Sequence, residues 1–412
     1  MRKQIFSLAF TALCCGILPA IAKDFTYDYT DGIIYYSIIK GAENSVEVTK
    51  CMYPPAHLVI PPTINIEGTD YQVVKLADDA IYARDETFES MELPYTMKNI
   101  GAMVVNYSSF KHIRFPDNLE YIGDRAFAGC GLKSIIIPDK VKGLVYGAFH
   151  GCSQAHTVVL GRGITKMAHN AFGGQALDFK ESIYDLSVLR EVYSLNPVPP
   201  EFNEHARPFN YIGDPNGLIL YVPEESIEKY KEYREPVPYY PEYPLYDDQG
   251  WQWWTYFKNV KPIPDLFIVN DDTEVKLKNG ETTRLYSTII NYADVTIYSD
   301  KWECDPAIIK IDADLITAVG PGQTVAKRIV ETSTGTYESK PMTVKVLRTS
   351  GVEIPVIETE SVAPKETEAS AADHCFFTID GMAAGSDADR LAPGIYIERD
   401  HGKTRKFIKH LR

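Results

Sequence analysis

Catalysis or metal binding would show in this chain as nucleophiles, bases and ligands at characteristic spacings. Gly-x-Ser-x-Gly, His-Glu-x-x-His and phosphate-loop patterns do not occur. Beyond residue 22 there is no Cys-x-x-Cys, and the histidines are scattered. His150 and His156 fall in different parts of one repeat, without the spacing a zinc site needs. Asp and Glu are abundant, but the carboxylate pair of a glycoside hydrolase is not recognisable from spacing alone. The expectation is a chain with no catalytic residues, no metal site and no cofactor.

Two groups of residues suit recognition instead. The first is a column on short strands: Ser90 and Glu92, His112 and Arg114, Ser134 and Ile136, Thr157 and Val159. Side chains alternate along a strand, so these face outward while their neighbours face a core. Glu92, His112 and Arg114 are the candidate ligand contacts. With the strands in register Glu92 neighbours Arg114, which equally describes a cross-strand ion pair on a solvated face. The second group is Tyr239, Tyr240, Tyr243, Tyr246, Trp251 and Trp253, interleaved with Pro236, Pro238, Pro241 and Pro244. These rings make either a stiff platform for stacking on sugars or a segment folded back over an apolar end. Trp254 and Phe257, just beyond, read as the closing cap.

Positioning such a column requires a repeated element, and the sequence contains one. Phe110-Lys-His-Ile113-Arg-Phe115-Pro116, Leu132-Lys-Ser-Ile135-Ile-Ile137-Pro138 and Ala155-His-Thr-Val158-Val-Leu160-Gly161 share apolar residues at positions 1, 4 and 6, then Pro or Gly. Ile113, Ile135 and Val158 are 22 and 23 residues apart, and so are Phe127, Phe149 and Phe172 of the Ala-Phe pairs. Irregular copies flank these, from Leu58 and Met91 upstream to Val192 and Leu220 downstream. A coil of this length cannot bury its own apolar face, whereas stacked coils form a continuous core. The pattern predicts a solenoid whose strands make a parallel sheet, with Ile135 and Ile137 inward and Ser134 and Ile136 outward. Proline ends each strand, and Ala-Phe-x-Gly-Cys makes a turn that packs a phenylalanine ladder. Cys130 and Cys152 are expected beneath that layer as buried free thiols, a disulfide between them being the rival.

These marks resemble the BspA-type leucine-rich repeat family of bacterial surface and secreted proteins. The resemblance spans about residues 24–263 and includes Gly32 to Tyr36, Ser45 to Thr49, Asn196 to Pro200, Leu220 to Pro223 and Trp254 to Phe257. It implies adhesion, or binding of a host or glycan ligand, and brings no catalytic residues. Long intervals before Leu93 and after Leu160 depart from the family pattern, leaving the repeat number open.

Residues 264–348 change to alternating strands with turn signals, among them a hairpin at Asn279-Gly280 joining Val275–Leu277 to Thr283–Leu285. Trp302 to Pro306, Ile309 to Asp312 and Leu315 to Gly322 resemble the bacterial Ig-like sandwich, whose modules act as spacers or adhesive units. Residues 349–374, acidic and rich in Thr, Ala and Pro, read as a flexible linker. Residues 375–412 resemble the C-terminal sorting tail of type IX-secreted proteins, or form a small β-unit with a solvated basic end. The fold class expected is therefore mainly β: a solenoid, a sandwich and a small C-terminal unit.

Arg2 and Lys3, the apolar run Ile5 to Leu18 and the small residues Ala20 and Ala22 read as a signal peptide over 1–22, cleaved after Ala22. Leu13 before Cys14, and Cys14 before Cys15, stand where lipidation would want a small residue. Loss of this segment takes the formal charge from −14 to −16, against nucleic acid as partner. No run is long enough for a transmembrane span. Five cysteines remain, an odd number and no disulfide framework. The sequence thus predicts an exported binding protein with a protein or glycan ligand, or a purely structural envelope component.

Overall fold

The computed structural model describes residues 4–6, 25–83, 87–105, 107–173, 176–178, 183–184, 188–202, 208–209, 217–233, 254, 257–348, 374–378, 383–385, 394–400 and 403–409. Cleavage at Ala22, the linker 349–373 and the aromatic segment 236–253 lie outside them.

The repeat pattern becomes a stack of short parallel strands. His57–Val59, Ser90–Glu92 and His112–Arg114 pair in parallel, and Ser134–Ile137, Thr157–Leu160, Glu191–Ser194, Ile219–Val222 and Asn259–Pro262 continue the row. The register aligns Met91 with Ile113, and Ile135 with Val158, Val192 and Leu220. Ile135 and Ile137 are both buried inward. After each strand the Pro or Gly carbonyl accepts the amide three residues on: Met97 to Pro94, Leu119 to Pro116, Val141 to Pro138 and Ile164 to Gly161. This one turn, repeated, bends every coil at the same place. A second row follows it, in which Asn99–Ile100 pairs with Tyr121–Ile122, and Gly143–Leu144 with Lys166–Met167.

The Ala-Phe turns close each coil. Phe127, Phe149, Phe172 and Phe209 stack at 5.6, 5.6 and 5.4 Å between ring centroids, and Phe88 and Phe110 extend the ladder. Gly129 follows the Ala-Phe pair at φ +68°, where a Cβ would also meet the Tyr107 ring at 2.6 Å, so the Gly-Cys turn admits no other residue without strain. At the N-terminal end an antiparallel hairpin, Ile34–Ile38 with Ser45–Cys51, covers the first coil. At the other end Trp254 is fully buried, donating Nε1–H to the Pro200 carbonyl at 3.2 Å and packing on Phe202 and Phe257. The short helix Ile227–Glu232 adds Tyr230 to this cap, its hydroxyl on the Asn196 carbonyl at 2.8 Å.

Beyond the last coil, residues 266–347 form a β-module. One sheet runs Glu274–Lys278, Met342–Leu347, Gly322–Thr332 and Ile297–Glu303; another runs Thr282–Arg284, Leu315–Ala318 and Ile309–Asp312. Leu277, Ile316, Val344 and their neighbours fill the space between. The hairpin expected at Asn279-Gly280 is corrected here. Glu274–Lys278 pairs in parallel with Met342–Leu347, and Thr282–Arg284 pairs with Leu315–Ala318. The turn carries the chain from one sheet to the other because Asn279 N–H bonds to Leu347 and Gly280 N–H to Ala318. The described residues from 374 onward belong to a separate compact unit. In it Ala383–Gly385, His374–Thr378, Gly394–Asp400 and Lys403–Lys409 make one antiparallel sheet in that order.

Candidate functional site

The outward column of the solenoid does not face open solvent along its length; the β-module is seated on it. Leu266–Asn270 is buried at all five positions, which a strand achieves only when both of its faces are covered. Phe267 stacks on Tyr193 at 4.0 Å, and Tyr193 on Tyr221 at 4.4 Å. Val159, Leu195, Ile263 and Val269 complete this second core, with Ile136 against it. Each buried side chain of this size contributes roughly 1.5–3 kcal/mol. An exposed ion pair contributes about 0–1 kcal/mol. The apolar patch therefore holds the two parts together, and the polar contacts fix their register.

Asp271 is the centre of those polar contacts. Its Oδ2 meets His112 Nδ1 at 2.8 Å, its Oδ1 accepts from Ser134 Oγ, and its carbonyl lies 2.8 Å from His156 Nε2. His112 lies flat against Tyr286, ring centroids 4.0 Å apart, with Asp272 at 3.7 Å from Nε2. Burial, reinforced by Asp271, raises the Asp272 carboxyl above its ordinary range, while His112, Lys133 and Lys111 oppose the shift. Lys340 bonds to Glu191 at 2.7 Å, and Arg162 reaches the Tyr292 carbonyl.

The three candidate contacts therefore separate. His112 is 7% exposed and is a docking residue between the two parts, not a member of an open face. Glu92 and Arg114 are register partners as expected, but their charges turn to the module rather than to each other. Glu92 Oε2 accepts from Arg284 Nη1 at 3.1 Å, and Arg114 Nη2 donates to the Ser287 carbonyl at 3.2 Å. Tyr239, Tyr240, Tyr243, Tyr246, Trp251 and Trp253 lie outside the described residues.

Where the module stops short of the first coils it leaves a cleft of about 610 Å³. One wall is the solenoid, with His57, Val59, Glu92 and Arg114; the other is the module, with Thr283, Arg284, Tyr286, Asp314 and Leu315. Arg284 is held between Glu92 and Asp314, the latter at 3.3 Å, and the Glu92 hydrogen bond raises its already high pKa. Burial likewise raises the Tyr286 hydroxyl. The lining also holds the His57 imidazole, whose Nδ1 lies 2.8 Å from Ser90 Oγ. What it offers is guanidinium and hydroxyl donors beside exposed Val59 and Leu315. Among the described residues no cluster of three or more His, Cys, Asp or Glu is arranged to hold a metal, and no helix is long and apolar enough to cross a membrane.

The module residues of this site were missed by sequence reasoning, although a signal existed. The second outward position of the repeats changes from Glu92 and Arg114 to Ile136, Val159, Tyr193 and Tyr221, an apolar stripe that needs a partner.

Residues 76–188 match the family model of the BspA type leucine rich repeat region, in six copies. The flanks of the wider resemblance, 24–75 and 189–263, fall outside that match. No curated protein matches the chain. Among solved structures it is similar to the pneumococcal vaccine antigen PcpA, with 20% identity over 48% of this chain and 50% of that one, at a TM-score of 0.37. It is also similar to a leucine rich cell surface protein from Faecalibacterium prausnitzii A2-165, with 19% identity over 48% and 52%, at 0.30. A leucine-rich repeat protein from Bacteroides ovatus ATCC 8483 has 17% identity over 48% and 71%, at 0.26. The chain spans about half the length of the first two.

Proposed function

We propose that this is a non-catalytic binding protein of the cell exterior that takes its ligand in the cleft between the first coils and the β-module. The observation that carries the reading is the division of the outward face. From Ile136 to Tyr221 it is occupied by the module, whereas Val59, Glu92 and Arg114 remain on an accessible wall. The repeat scaffold supports a role in protein interaction, and the signal-like N-terminus supports export. The exchange of strands between two sheets in residues 266–347 suits an Ig-like module. Its task is to shape one wall of the cleft rather than to act as a free spacer.

Arrays of extracellular-matrix proteins and glycans, probed with the full chain, test this against a variant that fills the cleft, Val59→Trp with Leu315→Trp. Both positions are exposed, so the melting temperature should hold while ligand signals disappear. Signals that survive in this variant but vanish on replacing Tyr239, Tyr240 and Tyr243 by Ser would move the site to the aromatic segment. Arrays without any signal would favour an architectural role.

A further inference from the structure

We infer that the cleft accepts an extended segment of a partner protein bearing an Asp or Glu carboxylate between apolar side chains. This deepens the reading of the cleft as the binding site and rests on it.

Three features of the lining converge on that ligand. The first is its charge arrangement. Arg284 already engages both carboxylates of the cleft, Glu92 at 3.1 Å and Asp314 at 3.3 Å. Arg114 is exposed, and its hydrogen bond among the described residues is the single one from Nη2 to the Ser287 carbonyl. Its remaining N–H groups stand in the planar fork that matches a carboxylate in two parallel bonds. Glu92, its neighbour in register, does not fill that fork because it is drawn to Arg284.

The second is backbone. His57–Val59 ends its sheet, and Thr282–Arg284 ends another, so the two walls each present a terminal strand. In the module the carbonyl of Glu281 and the amide of Leu285 bond inward, to Ala318 and Asp314. By alternation the amides and carbonyls of Thr282 and Arg284 point to the unpaired side. An unpaired edge is a template for an added extended strand, which supplies affinity through main-chain bonds and specificity through alternate side chains. A sugar polymer has no matching ladder of amides.

The third is apolar exposure. Val59 is 59% exposed on one wall and Leu315 is 44% exposed on the other. Both line the cleft with Arg114, so a strand that places an acid on Arg114 has apolar surface within the same cleft for its neighbouring side chains.

The test is to pan a phage-displayed library of random dodecapeptides against the full chain, in parallel with Arg114→Gln, Arg114→Lys and the cleft-filling Val59→Trp, Leu315→Trp variant, after matched thermal melts. Wild type should enrich peptides with Asp or Glu among apolar residues. A synthetic enriched peptide should bind Arg114→Gln about tenfold more weakly, the scale of one lost charge-assisted pair. Arg114→Lys, which keeps the charge and loses the fork, should fall between. The Gln or Asn counterpart of the peptide should bind wild type no better than the parent binds Arg114→Gln. Peptides without acidic bias that are still lost on filling the cleft would overturn the carboxylate and leave the cleft standing. Peptides indifferent to every variant would overturn both. No enrichment on wild type overturns the peptide ligand. Binding of a uronic-acid polysaccharide that depends on Arg114 would then assign the cleft to an acidic glycan.

Discussion

Cys130 and Cys152 occupy equivalent places in adjacent coils, and each thiol donates to a carbonyl 25 residues earlier, Val105 and Phe127, both at 3.1 Å. Each sulfur thus faces the previous coil's backbone and not its equivalent, and both are free. Burial pushes the Cys152 thiol up to about 12 and Cys130 well above its ordinary value. Without thiolate they are inert. Iodoacetamide on the native protein should label Cys304, which is partly exposed, well before either. A Cys130–Cys152 crosslinked peptide in non-reduced digests would contradict this. A second expectation concerns Asp272. Its folded pKa is raised, so the stability tied to its protonated form is present below the ordinary carboxylate range, about pH 4, and lost as pH rises through the raised value. Asp272→Asn should raise the melting temperature at pH 7 by roughly 1–3 °C, since the side chain is partly solvated. The gain should vanish near pH 4. An equal gain at both pH values would assign the effect to packing.

The coil, as an element, owes its stability to the ladder more than to its strands, which are two to four residues long. Phe127→Ala removes a fully buried ring stacked on both sides and should cost about 3–5 kcal/mol in denaturant unfolding. Tyr146 is exposed, beneath Arg125 at 4.6 Å, and Tyr146→Ala should cost under about 1 kcal/mol. The ladder was legible in the sequence because the Ala-Phe pairs keep the strand period. The helix Ile227–Glu232 was not: one turn and a half gives too few apolar positions for a periodicity to emerge, and Tyr230 is fixed by the coil end it covers. The Asn279-Gly280 turn shows the opposite failure. Its residue types specify a turn at Gly280, φ +85°, but pairing is decided by which strands stand beside it.

At the scale of the molecule, the patch around Phe267 and Tyr193 should couple the solenoid and the module into a single cooperative body. Residues 25–348 should melt in one transition. Phe267→Ala with Asp271→Ala should split it in two, because the first removes the apolar contact and the second strands His112 and Ser134, which bond to the carboxylate. One unchanged transition would show that the module adds nothing to solenoid stability. Limited proteolysis should cut first within 349–374, whose acidic composition buries too little apolar area to offset ordering entropy.

The sequence by itself determined the coil. A period of 22 to 23 residues, apolar alternation and Pro or Gly after each strand specify local structure, and local structure needs only neighbouring coils to be complete. Ile135, Ile137 and the ladder phenylalanines were therefore placed correctly. Only the tertiary structure decided what the outward face does. Glu92, His112 and Arg114 are alike in sequence as polar residues at outward positions. They part company because Asp271, Ser287 and Arg284, more than 150 residues away, arrive at different heights along the column. No periodicity within the repeats encodes that arrival, since it depends on a separate module whose apolar strand Leu266–Asn270 finds the stripe from Ile136 to Tyr221.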